Sequence, residues 1–304
     1  MKHRLFVGKA KRWEKEFRHV DPILRDARST DIVIPVMGPT GVGKSTFVNT
    51  LYGSTVTTVG HGVSSCTAAL QPCVLPAPVG AFEGRRIIIV DTPGFDDTYL
   101  DDSEILRRIA AWLAMSYKKE MKIAGVIYLH DISQPRILGT VTKNFGMFRK
   151  LCGDEILSSV ILGTTKWGQT DHKSEKRREH QLREKSDWKE MLEKGATMHR
   201  FLDDHDSAWD MVNSVLQRTQ EVNALYIQHE LVDMEKLIPD TDAGRHLRGE
   251  LEKILKTVRS REGHPQRGGA TEQKTMEDIQ KVHQSLQYLK IPMSRRILIY
   301  LGIA

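Results

Sequence analysis

An α/β fold, in which a mostly parallel sheet is covered by helices on both faces, is predicted by three features of this sequence. A glycine-rich turn, Gly38–Thr46, joins a short apolar run to a helix-like one. A second apolar run ends on Asp91, and strand-like and helix-like segments alternate from residue 31 to residue 217. Strands are expected over 31–38, 68–75, 85–91, 122–130, 158–164 and 197–202, with helices between most of them. Ligands in such sheets sit at the C-terminal strand ends, where these motifs fall.

Three segments divide the chain. Residues 1–30 are a basic extension in which Trp13, Phe17, Val20 and Leu24 recur at helical spacing. Residues 31–217 carry the alternating pattern. Residues 218–304 lose the strand signals and show helical stripes instead, such as Leu247, Leu251, Ile254 and Val258, and then Met276, Ile279, Val282, Leu286 and Leu289. Pro239, Gly244 and a linker over 261–274 interrupt them. The end, Arg295–Ala304, is an apolar tip behind two arginines. It is too short to span a bilayer, so packing within the chain, a partner groove and shallow insertion at a membrane interface are its three options.

Gly38-Pro39-Thr40-Gly41-Val42-Gly43-Lys44-Ser45-Thr46 is a phosphate-binding loop by its residue types. Glycines let successive backbone N–H groups converge, and the following helix start adds partial positive charge. Lys44 is placed to reach β- and γ-phosphates, and Ser45 to ligate Mg²⁺. The matching carboxylate is Asp91, which ends Ile87-Ile88-Ile89-Val90 and opens Asp91-Thr92-Pro93-Gly94. Its expected task is to hold the metal's water shell, while the Gly94 N–H contacts the γ-phosphate.

Gly43–Leu51 and Asp91-Thr92-Pro93-Gly94-Phe95-Asp96-Asp97 together resemble the translation-factor-like class of G domains, within it the septins and the immune-associated (avirulence-induced-gene-like) nucleotide-binding GTPases. The resemblance extends over about the first 220 residues. It implies a three-layer P-loop NTPase G domain with a helical C-terminal extension, binding GTP or GDP with Mg²⁺ and hydrolysing GTP at a low intrinsic rate. Thr67, in Ser64-Ser65-Cys66-Thr67, falls where such families keep a switch threonine that ligates the metal and serves catalysis beside Lys44. Thr58, Ser64 and Ser65 are the competing hydroxyls, and His61 is a second candidate in the same loop. Switch segments are expected at 54–70 and 94–103.

Two departures from the family pattern matter. Phe95 stands where Ras-like enzymes place the glutamine that orients the attacking water, and an apolar ring cannot orient water. Hydrolysis should therefore be slow, with the missing group supplied by another part of the chain, a second protomer or a partner. Homodimers or homo-oligomers across the nucleotide face are what the resemblance implies. The second departure is Thr164-Thr165-Lys166-Trp167-Gly168, where the base-reading motif carries glycine in place of aspartate. Thr165, Lys166 and Trp167 are retained as base-side candidates, and Asp171 is the alternative acceptor. Guanine preference thus follows from the resemblance, with an ATP-preferring NTPase and a nucleotide-holding scaffold without turnover as competing readings. His130 and Asp131 close another apolar run at the ligand edge, for hydrolysis, a dimer face or a plain turn before Pro135.

The 304 residues are 39% hydrophobic with mean hydropathy −0.39, ordinary for a soluble protein, and no apolar run reaches 18 residues. The N-terminus lacks the apolar core of a secretory signal. Cys66, Cys73 and Cys152 lack paired spacing, so neither a disulfide framework nor a zinc site is expected, which fits a reducing, cytoplasmic setting with peripheral membrane association as its alternative. A net charge of +6 permits acidic partners, yet basic and acidic residues alternate over 173–194, as in a solvated helix and unlike a nucleic-acid-binding stripe.

Overall fold

The structure is a computed structural model that describes residues 21–57, 70–75, 82, 84–95, 102–134, 139–185, 187–218, 224–262, 280, 282–287 and 289. The central strands are β1 (Ile32–Met37), β3 (Ile87–Asp91), β5 (Val126–Asp131) and β6 (Val160–Thr165), every residue of which is buried. Their β-branched, near-continuous apolar composition suits strands covered on both faces. They pair in the order β3-β1-β5-β6, all parallel. Antiparallel β2 (Gln71–Leu75) and parallel β7 (Thr197–Arg200) form the two flanks.

Successive residues on each strand enter opposite cores. Val33, Ile88, Val90, Tyr128 and Leu162 pack on one face with α3 (Asp102–Lys118), α4 (Gly139–Cys152) and α6 (Asp187–Glu193). Ile34, Ile87, Ile89, Leu129 and Ile161 pack on the other with α2 (Lys44–Tyr52) and α7 (His205–Leu216). At about 1.5–3 kcal/mol for each fully buried aliphatic side chain, these two layers outweigh any single polar contact in the domain. Helix α5 (His172–Lys185) leads into α6 on the first face.

The apolar run over 122–130 is not one strand. It splits into β4 (Lys122–Ile123) and β5, both pairing with β1. Gly125 marks the break: a Cβ there would lie 2.1 Å from the Ser159 carbonyl oxygen, so only glycine lets the backbone pass.

The described segments that flank the sheet in sequence dock on α3. Asp21 caps the short α1 (Pro22–Arg25) by accepting from the Ile23 N–H at 2.8 Å, and also accepts from the buried Trp112 indole at 2.6 Å. The described C-terminal segment includes α8 (Tyr226–Gln228), the π-helical His229–Asp233, a 3-10 turn over Ile238–Asp240 and α9 (Asp242–Glu262). The buried Gln228 donates to the Leu113 carbonyl at 2.8 Å, while Leu247 and Leu251 of α9 join the same core. Leu289 is buried against this core as well. Of the N-terminal helical stripe, Leu24 is buried, whereas Trp13, Phe17 and Val20 lie outside the described residues, as do the linker 263–274 and the apolar tip.

Candidate nucleotide site

Parallel order brings the C-terminal ends of β1, β3, β5, β6 and β7 to one edge, and the candidate residues described there come from all five. The loop after β1 curls as its glycines permit. Gly41 and Gly43 have φ of 78° and 95°, a region unfavourable to other residues, and a Cβ on Gly38 would meet the Leu129 carbonyl oxygen at 2.4 Å. Gly43 is the N-cap of α2, so the loop delivers its backbone to that helix's positive end.

The Lys44 ammonium is buried and donates to the carbonyls of Gly38 at 3.0 Å and Pro39 at 2.7 Å, lying over the loop it follows. Ser45 Oγ donates to Asp91 Oδ2 at 2.6 Å. Asp91 is fully buried, and its other oxygen, Oδ1, has no hydrogen-bond partner among the described residues. Burial pushes this carboxyl above the ordinary aspartate range, opposed by the Ser45 hydroxyl and the Lys44 charge. A buried, half-satisfied carboxylate beside a hydroxyl suits a hard divalent cation, so the donor set fits Mg²⁺.

Gly94 and Phe95 close against the loop from the other side. Thr40 N–H donates to the Phe95 carbonyl at 2.9 Å and Thr40 Oγ1 to the Gly94 carbonyl at 3.1 Å. A Cβ on Gly94 would lie 2.5 Å from the backbone of Thr40, so this approach depends on glycine. The Phe95 ring belongs wholly to the core beneath α3. Thr92 Oγ1 anchors the same segment by donating to the Val36 carbonyl at 2.8 Å.

The β6 end braces the loop from a third direction, since Thr165 Oγ1 donates to the Val42 carbonyl at 2.7 Å. Lys166 has φ of 60° and its ammonium reaches Asp131 at 2.8 Å. Trp167 turns its indole N–H to Thr164, and Arg200 lies over its ring at 4.4 Å, a cation–π contact. Asp171 Oδ1 accepts from the Ser174 N–H at 2.9 Å, ahead of α5. Asp131 organises its own turn by accepting from Ser133 and Gln134, which favours the plain-turn alternative for this pair. His130 is buried edge-on against Trp188.

Of the sequence-predicted residues, Gly38, Thr40, Gly41, Val42, Gly43, Lys44, Ser45, Asp91, Gly94, Thr165, Lys166 and Trp167 thus meet at one edge, with Thr46 half-buried on α2. Thr67, Thr58, Ser64, Ser65 and His61 lie outside the described residues. The structure adds two residues that sequence reasoning missed. Asn49 accepts from the Val56 and Thr57 N–H groups at 2.8 Å, with Thr57 buried against Ser45. Glu175, buried, accepts from the N–H groups of Gly168 and Thr170. Its place in the first turn behind Asp171 was the available signal.

Residues 33–145 match the family model described as 50S ribosome-binding GTPase. T-cell-specific guanine nucleotide triphosphate-binding proteins 1 and 2 of Mus musculus are each 34% identical over 87 residues, covering 28% of this chain. The match spans 20% of the length of those curated relatives. Among solved structures, Toc33 from Arabidopsis thaliana in complex with GDP and Mg²⁺ is 17% identical, with 72% of this chain and 96% of that one covered and a TM-score of 0.49. Era from Aquifex aeolicus is 16% identical, with 65% and 59% covered and a TM-score of 0.41. The family match thus covers the segment from β1 into α4, which holds the glycine-rich loop, Asp91 and Gly94.

Proposed function

We propose that this chain is a Mg²⁺-dependent GTP-binding protein that hydrolyses GTP slowly and serves as a nucleotide-controlled switch or assembly module, in the manner of septins and immune-associated GTPases. The observation that carries the reading is the orphaned Asp91 Oδ1, held beside Ser45 under a glycine-shaped loop at the start of a helix. Gly38–Thr46 would cradle the phosphates, Lys44 would exchange its two loop carbonyls for phosphate oxygens, and Ser45, Asp91 and Thr67 would hold Mg²⁺. That ion, when bound, neutralises charge on the β- and γ-phosphates. In the reaction, water forms a bond to the γ-phosphorus as its bond to the β,γ-bridging oxygen breaks, releasing GDP and phosphate.

Phe95 supports the low rate, because a ring wholly in the core leaves its position without a group to orient water. The missing group would come from a second copy, which is the basis for proposing a homodimer or homo-oligomer. The division into extension 1–30, G domain 31–217 and helical segment 218–304 belongs to the same reading, as does peripheral membrane contact through the tip at 295–304. No helix among the described residues is long and apolar enough to cross a membrane.

Calorimetry with GTP and ATP in Mg²⁺, followed by single-turnover hydrolysis against Lys44→Ala, tests the proposal. Heat on binding and a turnover that rises with protein concentration are expected. No heat from any purine triphosphate would refute it. Binding with turnover no faster than Lys44→Ala would favour a hydrolysis-deficient scaffold, the second reading that the buried Phe95 supports.

A further inference from the structure

The base end of this site lacks the acceptor its motif normally supplies, because position 168 is glycine. Four nearby acids are already committed. Asp131 accepts from Ser133, Gln134 and Lys166, Asp171 from Ser174, Glu175 from Gly168 and Thr170, and Asp204 from the Ser207 N–H at 2.7 Å. Asp203 is different: none of its side-chain oxygens has a hydrogen bond among the described residues, and it is exposed.

Its position is set by the sheet. Strand β7 runs parallel to β6, and the Phe201 N–H donates to the Thr164 carbonyl at 2.8 Å, so the chain beyond Arg200 continues beside the base motif. Arg200 seals one side by covering Trp167. The Leu202 N–H is held by Ser207 Oγ at 3.0 Å, and Asp203 takes φ of 59°, turning the chain back at the ligand edge. The Lys166 charge acts on this carboxyl, drawing it down against the larger upward effect of partial desolvation by the turn around it and the like charge of Asp204. At Gly168 an added Cβ would meet no atom within 4 Å, so nothing packs against that position.

We infer that Asp203, on the turn after β7, is the residue that selects the base: its free carboxylate accepts from the N1–H and exocyclic amine of guanine in place of the aspartate lacking at position 168. Adenine offers a lone pair at N1 and only C–H at C2, so the same carboxylate faces it without a donor and disfavours it. The inference rests on the nucleotide-binding reading above and adds the group that gives it selectivity.

The test uses the full chain with Mg²⁺, displacing a fluorescent guanine nucleotide with GTP, ATP and xanthosine triphosphate. Asparagine and glycine both tolerate the left-handed backbone at this position, so Asp203→Asn and Asp203→Gly keep the turn. Each should weaken GTP by roughly 10- to 100-fold, the worth of hydrogen bonds to a charged acceptor, while ATP affinity stays the same or improves. Asp203→Asn should in addition gain xanthosine triphosphate, because a carboxamide offers one acceptor to N1–H and one donor to the C2 carbonyl. Unchanged preference among the three nucleotides in both variants overturns this inference and leaves the nucleotide site standing. Failure of the wild-type chain to bind any of them overturns both.

Discussion

Exchanging Phe95 for glutamine places the side chain that Ras-like enzymes use for catalysis at the homologous position of the motif, and the fold predicts that it will not help. The Phe95 ring has no exposed surface and belongs to the core that includes Val33, Met37, Ile105 and Ile109. Removing an aromatic ring from such a site forfeits about 2–3 kcal/mol of apolar burial, since glutamine's methylenes refill only part of the volume. A carboxamide left there without partners costs a further ~1–3 kcal/mol. The combined loss of roughly 4 kcal/mol is a large fraction of the 5–15 kcal/mol typical of a domain. Urea unfolding of the nucleotide-free chain, followed by tryptophan fluorescence, reads this as a lower midpoint at unchanged slope. Phe95→Leu, which keeps the site apolar, should lose only about 1 kcal/mol. Single-turnover GTP hydrolysis by the glutamine variant should not exceed wild type. A loss under about 1 kcal/mol together with faster hydrolysis would show that residue 95 faces the γ-phosphate, and the argument for a borrowed catalytic group would fall.

Three further outcomes follow from the same edge of the sheet. Gly94→Ala drives a Cβ into the Thr40 backbone and should cost about 2–3 kcal/mol by breaking both Thr40 contacts, whereas Gly41→Ala, with open space but φ of 78°, should cost only about 1 kcal/mol; equal effects in urea unfolding would contradict this. Asp91→Asn removes a buried charge whose pKa is raised and leaves an unpartnered amide in its place, so the nucleotide-free chain should change little in stability at pH 7 while Mg²⁺-dependent binding is lost; a strongly destabilised variant that still responds to Mg²⁺ would refute the assignment. His130 is held down to about 4 by burial, against a smaller upward pull from Asp131. Its neutral form is favoured in the fold, so its contribution to stability is whole above pH 6.5 and drains as pH falls towards 4. The loss amounts to about 3 kcal/mol at 1.36 kcal/mol per unit, and a His130→Gln variant should flatten that part of the stability profile.

How much was legible depends on whether the information was local. Gly38–Thr46 and Asp91–Gly94 were readable as a turn into a helix and a strand end because glycine spacing and an acid ending an apolar run are local signals, and the two meet through Ser45 and Asp91. The strand over 122–130 was half-read: its apolar run hides Gly125, whose meaning lies in the Ser159 carbonyl pressed against it. The charged stretch over 173–194 was expected as one solvated helix and is two, α5 and α6, of which α6 buries Trp188 and Met191 in the core. Glu175 and Glu179 turn inward, the first to Gly168 and Thr170 and the second to Arg200, so Lys173, Lys176 and Arg177 are left facing outward.

Composition, periodicity and two short motifs by themselves determined that the chain builds a mostly parallel sheet with a glycine-rich loop at one edge, because hydrophobic period and backbone freedom are properties of neighbours in sequence. Only the tertiary structure decided that Phe95 belongs to the core, that Thr165 braces Val42, and that Asp203 has no hydrogen bond among the described residues where Asp131, Asp171, Glu175 and Asp204 are engaged. Those outcomes turn on which groups approach within about 3 Å after the chain has closed on itself, and hydrogen bonds at that range leave no mark on sequence spacing.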